Sequence, residues 1–94
     1  MGRQETTSSE AWGAFAAAFG LRVHRLRVAR GLSQEAVAYR AGLSRLTYIR
    51  YERGQAQSGA PANPSLKTLL ALSQVFEIPL QELLPDDKPD VTAR

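Results

Sequence analysis

The sequence contains no cysteine and a single histidine, and these two shortages exclude several kinds of chemistry. Without cysteine the chain forms no disulfide, no thiolate nucleophile and no cysteine zinc site. His24 alone provides neither a histidine metal cluster nor a mechanism that uses two histidines. A glycine-rich phosphate loop and a catalytic pair of carboxylates are also missing. The sequence therefore predicts a protein that is not an enzyme and that uses no cofactor and no metal.

Long apolar runs are missing as well. No segment approaches the roughly 20 apolar residues that span a bilayer, and the alanine-rich stretch near the N-terminus is too weakly apolar and too often interrupted by glycine for a signal peptide. We therefore expect a cytoplasmic protein with no membrane partner. The 94 residues suffice for one domain. We expect this domain at residues 9–85, between a disordered N-terminal tail at 1–8 and a flexible C-terminal tail at 86–94.

Positive charge is concentrated in the middle of the chain. Eight of the arginines lie between Arg22 and Arg53, against only Glu35 and Glu52, so this segment carries +6 while the whole chain carries +3. Such an asymmetric distribution is typical of a surface that binds a polyanion. The charge pattern therefore favours a nucleic acid as the partner.

The spacing of apolar residues predicts an all-α fold with five helices. Apolar side chains recur three and four residues apart from Trp12 to Leu26, which indicates a first helix that begins after a Ser9 cap. Two glycines in this segment each cost about 1 kcal/mol of helix propensity, so we expect a weak point before Leu21. The other four helices are predicted at 34–41, at 45–53, after Pro64 with Asn63 or Ser65 as its cap, and at 80–84.

The second and third predicted helices form a helix-turn-helix. Ser33 and Ser44 are suitable N-cap residues, and Gly42 supplies a turn position with positive φ. Small alanines on the second helix allow the third to cross closely. A helix-turn-helix surrounded by arginine presents its second helix to the major groove of DNA. On that helix we expect Thr47, Tyr48 and Tyr51 to form the inward face, with the two tyrosines as core residues.

Several segments in the same order resemble the Xre/Cro–phage repressor (lambda-repressor-like) family. The resemblance covers roughly residues 19–84 and is carried by Leu32-Ser33-Gln34-Glu35, Ala41-Gly42-Leu43-Ser44-Arg45, Tyr51-Glu52-Arg53-Gly54, Asn63-Pro64-Ser65-Leu66 and Leu80-Gln81-Glu82-Leu83-Leu84. It implies a compact five-helix DNA-binding domain. The implied function is sequence-specific transcriptional regulation, with repression favoured, by a homodimer that binds double-stranded DNA. The alternative is a protein-interaction module on the same fold, similar to an antitoxin.

The resemblance also implies roles for individual residues. The residues that match base-contacting positions are Ser44, Arg45, Leu46 and Arg50. Those that match positions near the DNA backbone are Ser33, Gln34, Arg53, Gln55 and Ser65. Arg27 and Glu52 match a structural ion pair that links the first helix to the end of the third.

Some features depart from the family or have two interpretations. The loop at 55–64 is about half a dozen residues longer than usual; a surface insertion is the favoured interpretation, and a DNA or dimer contact is the alternative. Trp12 and Phe15 either cap the core against the fifth helix or form a dimer surface. Arg22 and Arg30 belong either to a solvated face or near the DNA. His24, finally, is expected to be a solvated helix residue, with a phosphate contact as the alternative.

Overall fold

The computed structural model describes residues 2–93, with the side chains of residues 9–93. This part of the chain contains five α-helices and no strand, which confirms the predicted fold class. The helices are α1 Gly2–Ala29, α2 Gln34–Ala41, α3 Arg45–Glu52, α4 Leu66–Val75 and α5 Leu80–Leu83. The bounds of α2 are those expected, and α3 and α5 each end one residue earlier than expected. The predicted tail at residues 1–8 lies outside the described side chains, and no helix follows α5 up to residue 93.

Helix α1 continues through both of its internal glycines, so the expected weak point before Leu21 is wrong. At Gly20 a Cβ atom would lie 2.5 Å from the backbone oxygen of Glu52, at the end of α3. Only glycine permits this close approach of two backbones, and the resulting packing offsets the cost of about 1 kcal/mol in helix propensity. The helix also begins before Ser9, which therefore lies inside α1 and does not cap it.

Three serines cap the helices that follow α1. Ser33, Ser44 and Ser65 all have extended backbones, and each Oγ accepts a hydrogen bond from the third backbone N–H beyond it. The N···O distances are 3.0, 3.1 and 3.1 Å. Each such cap contributes about 1 kcal/mol to helix stability. Of the two predicted caps for α4, the structure uses Ser65.

The turn between α2 and α3 depends on Gly42, whose φ of 72° and ψ of 30° lie in the left-handed region. Its N–H donates to the carbonyl of Tyr39 at 3.2 Å, and the next residue, Leu43, donates to Ala38 at 2.8 Å. This pair of hydrogen bonds satisfies carbonyls that the end of α2 leaves open. The predicted helix-turn-helix is therefore present, with a fixed crossing between its two helices.

The core receives side chains from all five helices. Its buried members are Phe19, Val23, Val37, Ala38, Tyr48, Leu72, Phe76 and Leu83. Helix α1 packs against α3 and α5, while α2 packs against α3 and α4. Because Tyr48 is completely buried and Tyr51 packs on the same cluster, the inward orientation predicted for these two tyrosines is correct. Thr47 is not part of this core, so its predicted place on the inward face is wrong. The opposite face of α3 is left towards solvent.

Candidate nucleic-acid interface

The solvent-facing side of α3 carries positive charge. Arg45 and Arg53 are exposed, and Arg50 is partly exposed on the same helix. Among the described side chains, none of these three arginines approaches a carboxylate within 4.0 Å. Leu46 adds an apolar side chain that is 54% exposed. Free guanidinium groups are well suited to guanine edges, and an exposed leucine is suited to a thymine methyl group.

Ser44 lies at the N-terminus of α3, where its hydroxyl is already engaged. It accepts from the backbone N–H of Thr47 at 3.1 Å and donates to the Thr47 hydroxyl at 2.9 Å. The residue is exposed, and its oxygen still has acceptor capacity on the solvent side. Ser44 therefore has a structural role as the cap of α3, and it could keep this role while also contacting a base.

The residues that match backbone-contacting positions are distributed over three helix ends. Ser33 and Ser65 are exposed N-caps, so the N–H groups of the first turns of α2 and α4 point outward near them. Arg53 and Gln55 are exposed at and after the C-terminus of α3. Helix N-termini and cationic side chains are groups that bind phosphate. Gln34 differs from the others because its side-chain amide donates to Glu52 at 3.1 Å.

Glu52 is the centre of a hydrogen-bonded network beneath this face. Its side chain is only 5% exposed and forms an ion pair with Arg27, whose Nε lies 2.6 Å from Oε2. The Tyr48 hydroxyl donates to Oε2 at 2.6 Å, and His24 Nδ1 lies 3.0 Å from Oε1. Together with the Gln34 amide, these groups link α1, α2 and α3 through one carboxylate. Arg27 also donates to the carbonyl of Leu32, which leads into α2, at 2.9 Å.

The network shifts the proton affinities of its members. Burial by itself raises the pKa of Glu52, but the hydrogen bonds donated by Arg27 and Tyr48, with those from His24 and Gln34, lower the pKa to about 2. Burial, together with the neighbouring carboxylate, raises the pKa of the Tyr48 hydroxyl well above its ordinary value. The hydrogen bond to Glu52 raises the pKa of Arg27. At neutral pH the network therefore contains a carboxylate, a guanidinium and a neutral phenol.

Two members of the network were not assigned a role from the sequence. Tyr48 was expected only to fill the core, and His24 was expected to be solvated. Helical spacing is the signal that indicates both: Tyr48 precedes Glu52 by four residues, and His24 precedes Arg27 by three. A side chain three or four residues from a member of a buried ion pair lies on the same face of the helix as that member and can therefore reach the pair.

Arg22 in α1 and Arg30 just after its end both contact the C-terminal part of the domain. Arg22 donates to the backbone carbonyl of Glu82 in α5. Arg30 forms a long ion pair with Glu77, with N and O 3.4 Å apart. These contacts tie α1 to the C-terminal part of the domain, so the interpretation that places the two arginines near the DNA is not supported.

The long connection from α3 to α4 is a small hairpin, which we define as residues 55–63. Gln55 and Pro61 form an antiparallel bridge, and Ala56 N–H donates to the carbonyl of Ala60 at 2.8 Å. Ala62 is 1% exposed, and its N–H donates to Gly54 at 2.9 Å. The insertion is therefore ordered and anchored to the domain.

Trp12 and Phe15 lie on the part of α1 that precedes the core. Their ring centroids are 5.6 Å apart and both side chains are partly buried. The structure places neither against the core cluster that contains Tyr48, so it does not support their role as a cap on that core. A dimer surface stays a prediction. None of the helices in the described residues combines the length and the apolar character that crossing a membrane requires.

The sequence and the fold are both similar to known proteins. The family model described as helix-turn-helix matches residues 23–83. The chain is 33% identical over 73 residues to the cryptic phage CTXphi transcriptional repressor RstR of Vibrio cholerae, covering 78% of this chain and 60% of that protein. It is 36% identical over 66 residues to the SPbeta prophage-derived uncharacterized HTH-type transcriptional regulator YonR of Bacillus subtilis strain 168, covering 70% of this chain and 56% of that protein. The chain thus spans less than two thirds of each of these relatives.

A solved structure with the same fold is the crystal structure of the restriction-modification controller protein C.AhdI from Aeromonas hydrophila. It superposes with a TM-score of 0.67 at 39% sequence identity and covers 76% of this chain and 98% of that chain. The family match covers α2, α3, α4 and α5, and it includes both Arg27 and Glu52. On these grounds, the chain belongs to the Xre/Cro-like family of helix-turn-helix proteins.

Proposed function

We propose that this chain is a sequence-specific DNA-binding regulator of transcription, with repression the favoured outcome, and that it is a binding protein without enzymatic activity. The observation that carries the proposal is the solvent-facing side of α3, where Arg45, Arg50 and Arg53 have no carboxylate partner among the described side chains. The similarity to a phage repressor and to a controller protein supports the same function. A DNA-binding protein with bacterial relatives is expected to act in the cytoplasm.

In the proposed complex α3 lies in the major groove. Arg45 and Arg50 donate to guanine O6 and N7, Leu46 contacts a thymine methyl group, and Ser44 contacts a base edge at the helix N-terminus. The backbone contacts come from Ser33, Gln34, Arg53, Gln55 and Ser65. These contacts fix the register of α3 on the duplex but read no sequence.

We further propose that two copies bind a two-fold related site. Leu66 and Leu70 lie one turn apart on α4 and are 67% and 42% exposed. Large apolar side chains exposed on one face of a helix are typical of a protein contact, and a two-fold dimer uses the same surface on both subunits. Half-sites about one helical turn, roughly 34 Å, apart are the expected consequence.

In-vitro selection of bound duplexes from a random library tests the proposal. We expect enrichment of a short inverted repeat, and we expect Arg45→Ala or Arg50→Ala to weaken its binding by about 1–3 kcal/mol and to relax base preference at one position of each half-site. The matched control is Arg25→Ala, which removes the same charge from an exposed position on α1. If Arg45→Ala and Arg50→Ala bind and discriminate like the control, α3 does not read the bases.

A further inference from the structure

The hairpin at 55–63 is held by a part of α1 that precedes the matched family region. A Cβ atom added at Gly13 would lie 3.7 Å from the ring of Pro61, and one added at Gly54 would lie 2.8 Å from the Cα atom of Ala17. The hairpin residue Ala62 is 1% exposed. The early turns of α1 thus lie close to the hairpin and to Gly54, the residue that precedes it after α3. A surface insertion that is merely tolerated needs no such contacts.

Between α3 and the hairpin lies an open cleft of about 240 Å³. From α3 it is lined by Thr47, Arg50 and Tyr51. From the hairpin it is lined by Gln55, Ala56, Gln57 and Asn63, three of which have carboxamide side chains. None of the lining residues is acidic, and neither is any residue of the hairpin. A guanidinium surrounded by neutral N–H donors is suited to an anion that has several acceptor oxygens.

The position of the cleft identifies the source of the anion. Arg50 belongs to the solvent-facing side of α3, and Asn63 stands two residues before Ser65, the cap of α4. A recognition helix in the major groove has phosphates of the DNA backbone along both of its sides. We propose that the cleft binds a backbone phosphate that flanks the α3 site, with Gln57 and Asn63 as donors. The inference rests on the proposed function, because it requires α3 to dock on DNA.

Ethylation interference on the selected duplex, compared between wild type and Gln57→Ala/Asn63→Ala, tests this site. Both side chains are exposed, so the double substitution leaves the core untouched. We expect binding to be weaker by at least about a hundredfold, because two hydrogen bonds to a charged acceptor are lost. Base preference stays the same, and one phosphate in each half-site no longer interferes when ethylated. The slope of affinity against salt also stays the same, because neither side chain is charged.

A neutral methylphosphonate at that same position completes the test. It weakens wild-type binding and has a smaller effect on the double variant, which has already lost the Gln57 and Asn63 contacts and keeps only the attraction of Arg50 for the charged phosphate. Gln57→Glu keeps the shape of the side chain and adds repulsion of the phosphate, so this variant binds more weakly than wild type. The matched control, Gln81→Ala on the exposed surface of α5, behaves like wild type.

The outcomes separate this inference from the proposed function. An unchanged interference pattern in the double variant, or a Gln57→Glu variant that binds as tightly as wild type, overturns the phosphate site while α3 binding stands. Failure of the wild type to select any DNA overturns both. Loss of binding in the Gln81→Ala control as well overturns the assignment to the cleft.

Discussion

Replacing Glu52 with glutamine removes the charge at the centre of the network beneath α3 and keeps the size of the side chain. The variant therefore imitates the protonated acid. The Arg27 guanidinium, which is 14% exposed, loses its ion-pair partner. Tyr48 donates to Oε2 and Gln34 donates to Oε1, so the single oxygen of the glutamine replaces the acceptor of only one of them, and the amide nitrogen faces the other donor. The remaining acceptor is uncharged, and its hydrogen bond is weaker. We expect the free energy of unfolding to fall by about 3 kcal/mol.

Two independent arguments lead to this magnitude. Removing one partner of a buried ion pair costs about 3–5 kcal/mol, and the residual exposure of Arg27 places the present case at the lower end. The pKa gives a second route: a decrease from the ordinary value of 4.5 to about 2 corresponds to about 3 kcal/mol of preference for the ionised carboxylate in the folded state. The total free energy of unfolding of a small domain is about 5–15 kcal/mol, so the expected loss is a large part of it.

Urea unfolding followed by circular dichroism measures the effect. Glu35→Gln is the matched control, because Glu35 is an exposed glutamate on α2, and we expect it to change stability by less than about 0.5 kcal/mol. Tyr48→Phe deletes one donor to the carboxylate at 2.6 Å and should cost about 1.5–3 kcal/mol. If Glu52→Gln is no less stable than Glu35→Gln, the network does not stabilise the domain and our account of it is wrong.

The same network makes two further predictions. As the pH falls from about 4.5 to about 2, the unfolded chain takes up a proton at Glu52 before the folded chain does, so about 3 kcal/mol present above pH 4.5 is lost across this window. Urea midpoints measured from pH 7 to pH 2 should show this loss in wild type and a smaller one in Glu52→Gln; equal losses would contradict the assignment. Gly20→Ala places a Cβ atom 2.5 Å from a backbone oxygen and should cost more than about 1 kcal/mol despite its better helix propensity. The control is Gly13→Ala, whose Cβ would meet Pro61 at 3.7 Å; in the same urea assay it should be neutral or stabilising by up to about 1 kcal/mol. If Gly20→Ala is as stable as Gly13→Ala, the close-approach argument is refuted.

Features determined by neighbouring residues could be predicted from the sequence. The caps at Ser33 and Ser44 and the turn at Gly42 depend on the chemistry of one residue and its nearest neighbours, and the structure has all three. Gly20 shows where local reasoning fails. Its propensity indicates a weak point in α1, but the reason for the glycine is the backbone of α3, more than 30 residues away in sequence.

In the candidate site, too, some features follow from local sequence and others depend on distant contacts. Exposure of Arg45 and Leu46 follows from the helical period of α3 once Tyr48 is placed in the core. The four donors around Glu52 come from three helices, and no local pattern brings Gln34 and His24 to the same carboxylate. The order of the hairpin also depends on a distant contact, that of Pro61 with α1. A composition rich in glycine, alanine and proline indicates a loop but carries no information about such a support.

Under the proposed function the two sides of α3 have separate roles, and we expect this separation to allow the binding specificity to change without loss of the fold. Tyr48 and Glu52 connect the inner side of α3 to α1 and α2, so substitutions there are expected to lower the free energy of unfolding. Arg45 and Leu46 on the outer side have no partner of this kind in the described structure, so we expect substitutions there to cost little stability and, under the proposed function, to change DNA binding. Arg50 lies between the two sides, because it reaches both the outer face and the cleft beside the hairpin. A substitution at Arg50 should therefore alter base preference and phosphate binding together, whereas one at Arg45 should alter base preference alone.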